Sequence, residues 1–312
     1  MGSLPMNWHM PWASADSNAR QIALDELRED GFCIVRDLLP ENTLAALHAD
    51  LGHRFAKTPF CDGEFYGPHT KRFGSLLKRS PIAEALVMHP LALQIAQAVL
   101  GPYCDRFQLN LTQAVEIHPG AQAQPQHRDQ DMWGGPKGEM EYLINVIWPL
   151  TPFRADNGAT IVWPKSHRCQ RDYLLAEAEA VPAEMDPGSA LFFLGSALHA
   201  GGANRTSMPR AGIIVSYSLG WLKPFESQFL IYPPDVARHF SPDIAALVGY
   251  AIHKPNLGNY EGQCPSLLLS GATQDFQAAS DALRPEHAAF IAQLRAYQRQ
   301  SPRPKEQTSP LQ

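Results

Sequence analysis

Five apolar runs follow one another through the middle of this chain: "DRFQLNLTQAVEIHP", "EYLINVIWPL", "GATIVWP", "GSALFFLG" and "RAGIIVSYSLG", between residues 105 and 220. Clusters of Gly, Pro and Asn separate them, which marks each as a strand rather than a piece of a longer helix. Strands in such succession must bury their faces against one another. A β barrel or sandwich, with its core at about residues 103–222, is the expected centre of the fold.

Helical spacing appears on both sides of that centre. "NARQIALDELREDGF" carries apolar residues at helical intervals and stops at Gly31, after which "FCIVRDLL" reads as a short strand. "PENTLAALHADLGHRFA" and "SPIAEALVMHPLALQIAQAVLG" predict two more helices, the second ended by Gly101. Beyond "WLKPFESQFLIYPP" the helical period returns in "SPDIAALVGYAI" and in "DFQAASDALRPEHAAFIAQLRAYQRQ". The fold class is therefore mainly β with flanking helices. Residues 1–14 read as an N-terminal extension, 15–300 as one domain, and 301–312, polar and proline-bearing, as a disordered tail.

Charge and cysteine usage narrow the partner. The 26 basic and 31 acidic residues leave a formal charge of −5 and no run of Lys or Arg exceeds two, so neither a nucleic-acid surface nor an anionic membrane is expected. A small molecule is. The five cysteines, Cys33, Cys61, Cys104, Cys169 and Cys264, are scattered without a CxxC pair, as in a protein kept reduced. The start, "MGSLPMNWHMPW", has neither a basic region nor a continuous apolar stretch. A cytoplasmic protein is expected.

Within the β region stands "PQHRDQDMW". On an extended segment, positions i and i+2 share a face, so His127 and Asp129 can reach one ion while Arg128 turns away. The tripeptide alone fits a solvated polar loop as well. A mononuclear non-haem iron site needs one more imidazole and open positions for substrate and oxygen. His199, closing an apolar strand before a Gly-Gly turn, offers it seventy residues later. Eleven residues on, Arg210 opens the next strand, where a guanidinium can clamp the far carboxylate of a dicarboxylic co-substrate. Arg205 is the nearest other cation.

Taken together, "HRD", "DNGATIVWPKSHR" and "GSALHAGGANRTSMPR" resemble the phytanoyl-CoA dioxygenase family of Fe(II)/2-oxoglutarate oxygenases, over roughly residues 20–270. The resemblance implies a double-stranded β-helix, that is, a cupin-like jelly-roll. It implies Fe(II) held by His127, Asp129 and His199, 2-oxoglutarate bound through Arg210, and dioxygen as oxidant. Members of this family that halogenate replace the carboxylate by a small residue, so Asp129 speaks against halogenation. Gln124 resembles an amide that assists the co-substrate in fungal members, with Gln122 and Gln126 as alternatives, and Thr160 is a further candidate contact.

The substrate side should be apolar and aromatic. Tyr66, Phe73, Met132, Trp133 and Trp221 are its candidates, and "CDGEFYGPHTKRFG" and "DQDMWGGPKGEM" are expected to be mobile lids. The C-terminal stretch "IHKPNLGNYEGQCPS" is similar to the end of the fungal and bacterial tailoring members, which modify natural products. The reaction expected is hydroxylation or a related C–H oxidation of a largely apolar small molecule in natural-product biosynthesis or small-molecule catabolism. The alternatives are an acyl-CoA α-hydroxylase and a metal-binding barrel without redox turnover. Related tailoring enzymes pair through flanking arms, so a homodimer is expected.

Overall fold

The computed structural model describes residues 17–169, 179–271 and 277–300. The expected N-terminal extension and C-terminal tail lie outside the described residues. Nine strands are found among them: β1 (Phe32–Val35), β2 (Thr70–Gly74), β3 (Phe107–Ile117), β4 (Leu143–Pro149), β5 (Thr160–Val162), β6 (Val181–Pro182), β7 (Ala190–Leu194), β8 (His199–Gly201) and β9 (Arg210–Leu219). One sheet runs β1-β7-β4-β9-β3-β2 and the other β6-β5-β8, every pair antiparallel.

From β4 to β9 the chain alternates between the sheets: β4 in the large one, β5 and β6 in the small one, β7 back in the large one, β8 in the small one, β9 in the large one. This winding is the double-stranded β-helix that the motifs implied. Period-two alternation then gives the large sheet two different faces. Ile144, Val146 and Trp148 of β4 and Ile213, Val215 and Tyr217 of β9 join the main core. Asn145 and Ile147 of β4, Gln113 and Val115 of β3, and Gly212 and Ile214 of β9 line a cavity on the other side.

The main core is closed by helices α1 (Ser17–Asp30), α2 (Glu41–Lys57), α3 (Ala83–Val87) and α4 (Pro90–Leu100), through buried residues such as Leu27, Leu47, Leu51 and Ile95. The last two replace the single helix expected over residues 80–101. His89 takes an extended ψ of 125° because the ring of Pro90 disfavours helical geometry in the residue before it. Gly101 keeps helical angles and continues into a tighter turn, so it is not the left-handed cap expected there. The stretch Ala83–Tyr103 is apolar and long enough to cross a membrane by composition, but Leu91, Leu93 and Ile95 are buried in the main core.

After β9 come α5 (Gln228–Ile231), α6 (Pro234–Ala237), α7 (Pro242–Leu247) and α8 (Pro285–Gln300). Ser241 caps α7, its hydroxyl accepting from the Ile244 N–H. The last helix starts at Pro285, later than its sequence period suggests, and it buries none of its side chains. Two further expectations are corrected. The last five residues of the glycine-rich segment expected to be a lid, Thr70–Gly74, are β2, held by antiparallel pairing with β3. His199 does not close the apolar strand: β7 ends at Leu194, and His199 opens β8 in the other sheet.

Candidate active site

His127 and His199 come from segments far apart in sequence, and one antiparallel bridge joins them. Each residue's N–H donates to the other's carbonyl at 3.0 Å. Arg128 is extended (φ −119°, ψ 128°), and Asp129 opens a short helical turn, Asp129–Met132. The i, i+2 relation thus holds across three residues at the mouth of the barrel rather than along a continuous strand. Arg128 points into the protein, where Nε donates to Ser196 O at 2.8 Å and Nη2 to Ser166 O and Cys169 O. These bonds tie the motif to the turn that precedes His199.

The ligand atoms of His127, Asp129 and His199 all lie within 4.8 Å of one another. Asp129 Oδ1 is 3.7 Å from His127 Nε2, and its Oδ2 is 3.6 Å from His199 Nε2. Both imidazole Nδ1 atoms face carbonyls, Pro125 O at 2.9 Å and Ala197 O at 3.1 Å. A carbonyl only accepts, so Nδ1 carries the proton and Nε2 keeps its lone pair toward the shared centre. Burial, and next the neighbouring His199, pull the His127 pKa down to about 4, which leaves that ring neutral near pH 7. Phe65 packs edge-on to His127, and Phe193 is tilted against His199. Two imidazoles and one carboxylate, converging with open space beside them, fit the facial donor set of a non-haem Fe(II) oxygenase.

Arg210 lines the same cavity, of about 370 Å³. It is only 5% exposed, stands opposite Ile117 at the start of β9, and its guanidinium lies 4.0 Å from the Phe153 ring centre. Nη2 donates to Gly158 O, while Nε has no partner among the described residues. No carboxylate among the described residues pairs with it. Burial, and next repulsion from Arg72, push its pKa down from the usual arginine range. A buried, uncompensated cation at the wall of a cavity fits the carboxylate of 2-oxoglutarate. Arg205 is exposed and does not line the cavity.

The other sequence candidates divide. Gln124 and Thr160 line the cavity, although both ends of the Gln124 amide are engaged, Oε1 by Gly201 N–H and Nε2 on Phe65 O. Tyr66 and Met132 line it too. Phe73, Trp133 and Trp221 do not. Phe73 sits on the opposite face of β2 and packs against Phe55, because neighbours in a strand point to opposite sides. The indole N–H groups of Trp133 and Trp221 donate to Lys223 O and Tyr103 O, outside the lining.

Sequence reasoning missed Arg72, Gln113 and Asn145, all in the cavity wall. Arg72 is the inward neighbour of Phe73; it lies over the Tyr66 ring and donates to Gln113 Oε1 at 2.9 Å. Its strand, "TKRFG", carries too much charge to read as β. Gln113 and Asn145 were findable. Each is the polar member of an otherwise apolar set at i±2, Leu111/Val115 and Leu143/Ile147.

Comparison with known proteins agrees with this geometry. The family model described as phytanoyl-CoA dioxygenase (PhyH) matches residues 27–212. Dioxygenase FrzG of Cladobotryum sp is 36% identical over 216 residues, 64% of this chain and 70% of its own. Dioxygenase aneA of Aspergillus aculeatus is 32% identical over 235 residues, 70% and 78% of the two chains. The crystal structure of the non-heme alpha ketoglutarate dependent epimerase SnoN from nogalamycin biosynthesis has the same fold. It superposes with a TM-score of 0.56 at 17% identity, over 66% of this chain and 85% of that one. With its family model matched across more than half of the sequence, the chain belongs to the phytanoyl-CoA dioxygenase family of Fe(II)/2-oxoglutarate-dependent oxygenases.

Proposed function

We propose that this oxygenase oxidises a C–H bond of a largely apolar small molecule in the making of a natural product. The observation that carries the reading is one cavity holding both a three-donor set and an arginine without a counter-ion. His127, Asp129 and His199 would hold Fe(II), and Arg210 would take the far carboxylate of 2-oxoglutarate, with Thr160 and Gln124 beside it. When bound, iron and 2-oxoglutarate supply oxidation by dioxygen, 2-oxoglutarate leaving as succinate and carbon dioxide.

The chain's own residues bind, orient and exclude water. The neutral His127 imidazole offers its lone pair without first losing a proton. The guanidinium fork fixes the direction in which the co-substrate lies. Apolar walls of Val115, Ile147, Phe193 and Ile214 keep the reacting centre dry. Because Arg72 holds Gln113 Oε1, the amide NH₂ of Gln113 is left for an oxygen acceptor on the substrate.

Natural-product tailoring is favoured over acyl-CoA hydroxylation, since SnoN, which shares the fold, comes from nogalamycin biosynthesis. A metal-binding barrel without turnover has no use for Arg210. Oxygen-dependent release of succinate on adding Fe(II) and 2-oxoglutarate is the expected result, strengthened by the true substrate in a library of apolar natural products. Succinate no higher than in the metal-free protein would reject the reading.

Two finer expectations belong with this proposal. Five free cysteines support a cytoplasmic site of action. Residues 15–300 are read as one catalytic unit that pairs with a second copy. Helix α8 leaves Phe290 and Tyr297 65% and 69% exposed, and a 16-residue helix with no buried side chain is marginal alone in water. Light scattering at micromolar concentration is expected to give twice the chain mass; a mass of 34.5 kDa would rule pairing out.

A further inference from the structure

We propose that Asn145 is the positioning residue of the metal centre: it occupies one oxygen of Asp129, so that the carboxylate presents the other to the ion and takes a single coordination position. Asn145 Nδ2 lies 3.0 Å from Asp129 Oδ2. A carboxylate only accepts, so the amide must turn its NH₂ toward it, and the orientation of Asn145 is fixed by chemistry. Oδ1, the oxygen nearer His127, is left free of Asn145.

The backbone of Asn145 is held on both sides. It stands opposite Phe193 of β7 and Ser216 of β9, in the middle of the large sheet, and is 1% exposed. Asp129, by contrast, begins a short turn after an extended residue. The donor is thus on the rigid element and the ligand on the less constrained one, so the hydrogen bond transfers the sheet's order to the carboxylate. Asp129 is the acceptor that the amide reaches. The i±2 neighbours of Asn145 in the wall, Leu143 and Ile147, are apolar, and a buried amide without a partner is costly.

The consequence concerns the number of open positions. An ion held by two imidazoles and one carboxylate oxygen keeps room for a bidentate co-substrate and for oxygen. A carboxylate free to turn and offer both oxygens would close one of those positions. This rests on His127, Asp129 and His199 being the ligands, so the test begins with the metal alone.

Co(II) binding to the apo-protein is measured by calorimetry for wild type, Asn145→Leu and Asp129→Ala, with the visible absorption of each Co(II) form and the apo melting temperature. Asn145→Leu keeps the branched heavy-atom outline and removes the donor. It is expected to bind Co(II) about 10–100-fold more weakly, with an altered Co(II) spectrum. In the Asp129→Ala background the same change is expected to have no further effect on affinity. Asn145→Ala carries the same expectation should the leucine variant fail to fold. Wild type that binds no Co(II) overturns the ligand set itself. Wild type that binds while both Asn145 variants match it within about twofold and keep its spectrum overturns the positioning role alone, as does a loss that persists without Asp129.

Discussion

His127→Ala, Asp129→Ala and His199→Ala are each expected to abolish succinate formation and to weaken Fe(II) binding by more than the roughly 10–100-fold that follows loss of an outer hydrogen-bond partner. The barrel should survive all three. The bridge that brings the two histidines together is made by backbone N–H and C=O groups, which alanine also provides. The variants should nevertheless differ in stability. His127→Ala and His199→Ala remove a ring that packs against Phe65 or Phe193. Asp129→Ala leaves Asn145 Nδ2 without its acceptor, and an unpaired buried donor costs about 1–3 kcal/mol. Asp129→Ala should therefore unfold at the lowest denaturant concentration of the three, though still cooperatively. Full iron occupancy with near-normal turnover in any one of them would remove that residue from the ligand set.

The candidate metal site was legible in the sequence because its parts are rare in combination. A His-x-Asp, a histidine seventy residues later and an arginine eleven beyond that seldom occur together. The strands of the core were legible for a different reason: their apolar runs are bounded by turn residues. What the sequence hid follows from the same two rules. β2 hid because "TKRFG" has no apolar alternation and carries two adjacent charges, and with it Arg72 was missed while Phe73, one residue away on the wrong face, was chosen. The break at His89 was written in Pro90 but outweighed by the continuous apolar period around it.

Trp133 and Trp221 show a second limit. Aromatic residues near a site in sequence fill cavities or hold loops with equal ease, and both of these hold loops through their indole N–H groups. Asn145 and Gln113 show the reverse case. A polar residue at the inward register of an apolar strand is a stronger pointer to a site than an aromatic in a loop, because only a partner makes its burial tolerable. That rule, applied to the inward set on β9, finds Arg210 as well, since Gly212 and Ile214 complete it.

Arg210 should set the affinity for 2-oxoglutarate and leave that for iron unchanged. A buried guanidinium making two charge-assisted hydrogen bonds to a carboxylate contributes about 2–5 kcal/mol when one partner is truncated. That corresponds to a loss of roughly thirty-fold to several-thousand-fold in Arg210→Ala. Arg210→Lys keeps the charge but loses the fork, so it should fall between wild type and alanine. Stability gives an independent readout. A ligand at a hundred times its dissociation constant stabilises the folded state by about 2.7 kcal/mol, so such a concentration of 2-oxoglutarate should raise the melting temperature of wild type measurably. The same concentration should leave Arg210→Ala where it was. In the apo-protein the arginine has no anionic partner among the described residues, so its removal costs mainly the contacts with Phe153 and Gly158 O. If instead Arg210→Ala keeps the wild-type dependence on 2-oxoglutarate, the co-substrate carboxylate must lie on another cation. Arg72 would then be the residue to replace next, because it lines the same cavity and Arg205 does not.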